Sequence, residues 1–302
     1  MNRVPQRPIQ AFLVALAAVG ALSVMDAVMK ALVIAIGVYA TSIWRAIVSL
    51  VLGGALYLPR RKTWPNGPTL RIHVLRGAVI TAMGLAFFWG LGRTPMAQAI
   101  ALTFIAPLIA LFLSVLVLGE RLGRTVVGGS LAAFAGVLVI LFGQVQAELG
   151  RDALLGSAAI LFSALCYAVN IVLMRKQALA ARPPEITFFQ NLTVAVLLLA
   201  SMPLFGWVAW PTGHELGIVV ASALSTAGLL LFAFAYARGE ASYLSVTEYS
   251  AFVWAAILGW LVFSEPISLT TLAGALMIVG GCLIAARSGK REPIEPEIEA
   301  VA

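Results

Sequence analysis

The chain has 302 residues, of which 61% are hydrophobic and 11% charged, with a formal net charge of +7 and a mean hydropathy of +0.99. A soluble surface carries roughly 25–35% charged residues, so this composition excludes an ordinary soluble domain and points to a bilayer. The basic excess would suit a nucleic-acid binder if the chain were soluble. Here the bases fall in short loops between apolar runs, where they orient helices, and no nucleic-acid partner is expected.

Apolar stretches of about 18–24 residues recur along the chain, the length a helix needs to cross roughly 30 Å of hydrocarbon. They predict ten spans, near 9–30, 38–58, 72–92, 95–118, 125–143, 153–174, 186–208, 215–236, 241–263 and 268–287. The first follows Arg3 and Arg7 and contains Ala15-Leu16-Ala17, as a signal peptide does. It runs on to Val28 and has a counterpart in the sixth span, so it is expected to be retained. Pro59-Arg60-Arg61-Lys62 and Trp64-Pro65-Asn66-Gly67-Pro68 separate the second and third spans. Gly119-Glu120-Arg121, Arg182-Pro183-Pro184 and Pro211-Thr212-Gly213 supply later breaks. Residues 288–302, charged and holding Pro293 and Pro296, are expected to form a disordered cytoplasmic tail. Cys166 and Cys282 fall inside spans as small hydrophobes. There is no CxxC motif, and His73 and His214 are far apart, so neither a metal nor any other cofactor is expected.

The two halves superimpose without a gap at an offset of 145 residues. At that offset Arg93 meets Arg238, Glu120 meets Glu265, Thr125 meets Thr270, Gly129 meets Gly274 and Gly136 meets Gly281, while Lys30 meets Arg175. This predicts two five-span repeats, residues 1–145 and 146–287. Lys and Arg concentrate on one set of span ends: Arg3, Arg7, Arg60–Lys62, Arg71, Arg76, Arg121, Arg124, Arg175, Lys176, Arg182, Arg238, Arg287, Lys290 and Arg291. The opposite ends carry Lys30, Arg93 and Arg151, and Arg45 lies within a span, so both termini are expected in the cytoplasm. Five spans is an odd number, so the second repeat must enter the membrane upside down. The fold class expected is an all-α membrane protein of ten transmembrane helices in two inverted repeats, a plan that places a site between two mirror-related states.

Arg76-Gly77, Phe87-Phe88-Trp89-Gly90-Leu91, Pro95-Met96-Ala97-Gln98-Ala99, Phe104-Ile105-Ala106-Pro107-Leu108 and Leu118-Gly119-Glu120 follow one another in the first half. Tyr249-Ser250-Ala251, Trp254-Ala255, Gly259-Trp260 and Phe263-Ser264-Glu265 end the second. Together with the span count and duplication, this resembles the EamA family of the drug/metabolite transporter superfamily over nearly the whole chain. The resemblance implies a ten-helix carrier of small organic metabolites in the bacterial inner membrane, often an exporter of amino acids or related compounds. It also implies a central cavity lined by helices 1, 3, 4, 6, 8 and 9. Pro107 meets Phe252 at the repeat offset, so a hinge at that proline would not be duplicated.

A charged acid at a helix centre costs about 2.5–3.5 kcal/mol on insertion scales, so such residues face a cavity or a partner. Glu248, two turns into the ninth span with Ser245 and Phe252 on its face, is the first candidate for a substrate amine or a proton; snorkelling to the cytoplasmic edge beside Arg238 is the bland alternative. Asp26 is the second, although Lys30 one turn on offers a local ion pair, and Arg45 is another possible partner. Asn170 is the amide best placed for a cavity, whereas Gln190 and Asn191 suit interhelical hydrogen bonding. Trp89, Tyr249 and Thr103, the repeat counterpart of Glu248, complete the candidate substrate or proton site. Glu120 and Glu265 are expected to tie the fourth helix to the fifth and the ninth to the tenth, Pro107 to shape the fourth, and Gly129, Gly136, Gly274 and Gly281 to let helices approach closely.

No GxxxxGK[ST] motif occurs, so a gradient rather than ATP hydrolysis on this chain would drive it. The reading is a secondary transporter working by alternating access, favouring export of an amino acid or relative, with the lipid bilayer, the small-molecule solute and the proton as its partners. Uptake of a metabolite such as S-adenosylmethionine or riboflavin, and flipping of a lipid or amphiphile, are the alternatives. No nucleophile or metal motif suggests an enzyme.

Overall fold

The computed structural model describes residues 8–60, 64–106, 108–109, 124–146, 150–236 and 245–288. Among the described residues there is no strand, and ten helices have eight residues or more. They are α1 (Pro8–Ile36), α2 (Val38–Tyr57), α3 (Gly67–Leu91), α4 (Met96–Thr103), α5 (Arg124–Gln146), α6 (Gly150–Ala180), α7 (Pro183–Ala200), α8 (Glu215–Tyr236), α9 (Ser250–Phe263) and α10 (Leu269–Ser288). Five stretches, 9–36, 38–57, 67–91, 150–170 and 215–232, are long and apolar enough to cross a membrane. Outward-facing side chains such as Val51, Leu131, Val253 and Leu261 are more than half exposed, which suits hydrocarbon rather than water. The chain is a multi-pass membrane protein. The tail beyond Ser288 lies outside the described residues, as do Pro107 and Glu120.

Local chemistry places several helix ends. Gly37, at φ 81°, makes the one-residue link from α1 to α2, a conformation that suits glycine. Asn66 caps α3 by accepting a hydrogen bond from the Thr69 N–H at 3.0 Å, with Pro68 in the first turn. The third span therefore starts five residues earlier than the apolar run suggests, and Arg76 lies well inside it.

Two spans differ from expectation. The fourth is not continuous: α4 ends at Thr103, and Phe104 and Ile105 form a turn in which their N–H groups donate to the carbonyls of Ala101 and Leu102. A proline at 107 has no N–H to offer the Thr103 carbonyl, so a regular helix cannot pass this point unbroken. The ninth is not continuous either, because a 3₁₀ turn, Ser245–Tyr249, precedes α9. Glu248 lies in that turn and is exposed, so it stands at the entrance of α9 and not inside a continuous helix. The pitch changes at repeat-equivalent points, 104–105 and 249–250, although the second carries no proline nearby. There the equivalent rings of Phe104 and Tyr249 meet edge to face, with centroids 5.4 Å apart at 78°.

Packing follows the duplication. α5 packs on α10 and α2 on α7, each against its own counterpart, and α1 packs on α8 as α6 packs on α3, while α4, the start of the fourth span, packs on α9, the later part of the ninth. Exchanging the two halves leaves the contacts of α5 with α10, α2 with α7, α1 with α8 and α6 with α3 unchanged as a set. Gly136 and Gly274 face each other, Gly281 lies on the Gly129 carbonyl, and Gly143 lies on Thr270, so α5 and α10 run antiparallel. A Cβ on Gly136 or on Gly274 would lie 2.6 Å from the other's carbonyl oxygen, so neither position has room for a side chain.

Gly274→Ala should lower the melting temperature in detergent, by overpacking worth about 1–3 kcal/mol. Gly128→Ala, where a Cβ meets nothing within 4 Å, should be neutral or gain up to about 1 kcal/mol of helix propensity. Thermal unfolding of the two variants beside the native protein checks both.

Candidate functional site

At the end of α9, Ser264 adopts a left-handed conformation at φ 55°, and the Glu265 N–H donates back to the Gly259 carbonyl at 3.0 Å. This reversal turns the Glu265 side chain toward α1 and α4. Its Oε2 accepts from the Met96 N–H at 2.7 Å, one of the unsatisfied donors at the start of α4. Its Oε1 pairs with the Lys30 ammonium. Lys30 is buried, donates also to the Thr94 carbonyl at 2.7 Å, and stands 5.0 Å from the centre of the Phe263 ring. Two expectations are corrected here. Lys30 pairs with Glu265 rather than with Asp26, and Glu265 ties α9 to α1 and α4 rather than to α10. The reason is steric access: the αL turn delivers a carboxylate to two donors at once, and the local i,i+4 pair offers only one.

A second polar chain crosses α3, α6 and α7. Arg76, 7% exposed, donates from Nε to Asn170 Oδ1 at 2.8 Å and from Nη1 to Gln177 Oε1. Gln177 Nε2 donates to His73 Nδ1 at 2.5 Å, which leaves the His73 proton on Nε2, directed at Glu185 Oε1 3.3 Å away. The imidazole is fully buried and stacks on Phe189 with centroids 4.9 Å apart. Asn170 and Gln177 lie two turns apart on one face of α6, and Tyr167 stands one turn before Asn170 on the same face. Tyr167 interacts electrostatically with both Arg76 and Glu248. Of the candidates in the second repeat, Glu248 interacts electrostatically with Tyr167, whereas Tyr249 meets the Phe104 ring.

Asp26 and Arg45 face each other across α1 and α2 as electrostatic partners, without an ion pair within 4.0 Å among the described residues. The Arg45 guanidinium stands 5.7 Å from the centre of the Phe88 ring, and its Nε is buried without an acceptor. Elsewhere, Thr103 donates to the Ile100 carbonyl at 2.7 Å, closing the end of α4. Asn191 bridges α7 to the Ser49 carbonyl of α2 at 3.3 Å. Trp89 stacks under Arg93 at 3.8 Å and lines a cavity of about 650 Å³ with Trp207 and Trp210 at the end of the molecule where α1 meets α2, away from the Arg76 cluster. No group of three or more His, Cys, Asp or Glu side chains suited to a metal ion occurs among the described residues.

The sequence model of the EamA-like transporter family matches residues 9–142 and again residues 154–287. The chain belongs to the EamA-like transporter family. It is 29% identical over 226 residues to the pseudopaline exporter CntI of Pseudomonas aeruginosa, covering 74% of this chain and 76% of that one. It is 28% identical over 237 residues to the aromatic amino acid exporter YddG of Ancylobacter novellus, covering 76% and 79%. With the S-adenosylmethionine uptake transporter of Rickettsia felis it shares 25% over 223 residues, covering 73% of each. These relatives share one scaffold, while their names differ in solute and in direction.

Within the EamA-like scaffold the two polar clusters differ in kind. Lys30 and Glu265 have charged repeat counterparts, Arg175 and Glu120. Arg76, His73, Asn170, Gln177 and Glu185 correspond to Ala221, Ile218, Met25, Leu32 and Ala40, and the first four of these counterparts are buried and apolar. Arg76 was missed as a site residue because counting bases at span ends assigned it to a cytoplasmic loop. Two signals in the sequence would have found it: the Asn66 cap with Pro68, which moves the helix start upstream, and the alanine at its repeat position.

Removing one partner of a buried ion pair strands the other charge at a cost of about 3–5 kcal/mol. Lys30→Met and Glu265→Gln should each destabilise the EamA-like fold strongly, and the double variant by clearly less than the sum. A double-mutant cycle of thermal unfolding measures the difference.

Proposed function

We propose that the protein exports an amino acid or closely related small metabolite across the bacterial inner membrane by alternating access. The observation that carries this reading is that two separate polar pairs, Asp26 with Arg45 and Arg76 with Asn170, lie inside the bundle at positions whose repeat equivalents are Ile171, Gln190, Ala221 and Met25. A duplicated scaffold needs no such charges for its packing, and each carries an insertion cost of about 2.5–3.5 kcal/mol at a helix centre. A zwitterionic solute supplies a reason for both signs. Two relatives named as exporters, one of them for aromatic amino acids, support the direction and the class. The relative named as an uptake transporter supports the reverse direction on the same scaffold, which uses the same two states. No catalytic step is assigned to the chain.

In this reading all ten spans cross the membrane, the fourth and ninth with a break in each, the repeats 1–145 and 146–287 have opposite sense, and both termini are cytoplasmic. The antiparallel packing of α5 on α10 supports the inversion, and the uneven distribution of Lys and Arg supports the orientation. The Lys30–Glu265 tie then closes the periplasmic side. Cysteine accessibility after Asp152 should report the periplasm and after Arg182 the cytoplasm; the same side for both would overturn the ten-span count.

Glu248, beside Tyr167, is the residue assigned to the substrate amine or to an exchanged proton, with Asp26 second. Proteoliposomes with an imposed ΔpH should concentrate a confirmed amino-acid substrate, and Glu248→Gln should abolish that accumulation while the protein still inserts. Equilibration without accumulation, indifferent to ΔpH and to both acids, would make the protein a uniporter or exchanger.

A further inference from the structure

Arg76 is a buried cation whose partners do not neutralise it. Its Nε and Nη1 donate to the amide oxygens of Asn170 and Gln177, which are neutral acceptors. The one carboxylate in the chain of hydrogen bonds, Glu185, is held off by Gln177 and His73 in between. Among the described residues Arg76 forms no ion pair, and no acceptor meets its Nη2 edge. Each neighbour is also committed: the Gln177 amide spans Arg76 and His73, and His73 lies fully buried against Phe189. The guanidinium is therefore held rigidly by two amides, with one edge of its fork left over. A charge buried without a counter-charge is costly unless something supplies one.

The surroundings say what that something is. Tyr167, one turn before Asn170 on the same face of α6, keeps 41% of its surface exposed and interacts electrostatically with Arg76 and with Glu248. A hydroxyl donor thus stands on the face of α6 whose Asn170 holds the guanidinium, with a carboxylate in electrostatic range of it. A planar monoanion suits a guanidinium edge, since Arg and carboxylate geometries match in paired hydrogen bonds. A phosphate ester brings about 1.5–2 negative charges, and one cation among neutral amides would leave it undercompensated. The position also breaks the repeat: Ala221 stands where the other half would place a second arginine. An asymmetric solute needs one such anchor.

We infer that the Nη2 edge of Arg76 receives the carboxylate of the transported solute, with Tyr167 beside it and Glu248 facing the solute's amine. This rests on the transport reading above and names the groups by which the same site would recognise a zwitterion. Asn170 and Gln177 are positioning residues, because they orient the guanidinium without meeting the solute.

The test is counterflow in proteoliposomes with the full chain, using L-phenylalanine, L-leucine and L-methionine against their carboxamides. A charge-assisted hydrogen bond is worth about tenfold or more. The native protein should move the transported acid at least about tenfold faster than its amide. Arg76→Gln should lose that preference, and Arg76→Lys, which keeps charge without the fork, should retain only part of it. A merely structural arginine would lower acid and amide together and leave their ratio unchanged. Equal counterflow of acid and amide by the native protein, or an undiminished acid preference in a monodisperse Arg76→Gln, overturns the carboxylate site and leaves the transport reading standing. No counterflow of any acid or amide by the native protein overturns the substrate class, and this site with it.

Discussion

A charge inside hydrocarbon has no water to turn to, so its place is decided by what the helix bundle can offer it. Three interior cations among the described residues each have a different answer. Lys30 is fully served by the Thr94 carbonyl, the Glu265 carboxylate and the Phe263 ring. Arg76 is held by two amides and keeps an open edge. Arg45 faces Asp26 from beyond ion-pair distance and leans on Phe88. The first arrangement is closed and complete, which suits a structural tie. The other two are incomplete in the protein alone, which suits a place where something else arrives.

Duplication separates these roles. The scaffold repeats its close helix contacts: Gly136 and Gly274 meet at one crossing, and α1 on α8 mirrors α6 on α3. It also repeats its break in helical pitch, at 104–105 and at 249–250, where Phe104 and Tyr249 touch. Features shared by both halves serve what both halves must do, which is to pack and to change shape. The chain from Arg76 to Glu185 exists once and replaces a buried apolar patch formed by Met25, Leu32, Ile218 and Ala221. A solute presents different groups at its two ends, so its site cannot share the symmetry of the scaffold around it.

The site was only partly legible before the fold was known. Asn170 was recognisable as an interior amide on a lining helix, and it does lie in the bundle, hydrogen-bonded to Arg76. Asp26 was recognisable as an interior acid and Arg45 as one of its two possible partners, but the i,i+4 spacing to Lys30 gave no hint that Glu265 would claim the ammonium from 235 residues away. Arg76 was hidden by the positive-inside argument itself, which treats bases near a span end as loop residues. Glu248 looked like a mid-helix charge until the 3₁₀ turn moved it to a helix entrance.

By itself the sequence determined the helical class, the duplication at 145 residues and the family, because hydrophobic length and repeat identity are properties of the chain in one dimension. Only the tertiary structure decided which charges are spent and which are free. Hydrogen bonds from Arg76 to Asn170 and Gln177 span 94 and 101 residues. Such pairings depend on which helix faces meet, and residue spacing along one helix carries no record of that.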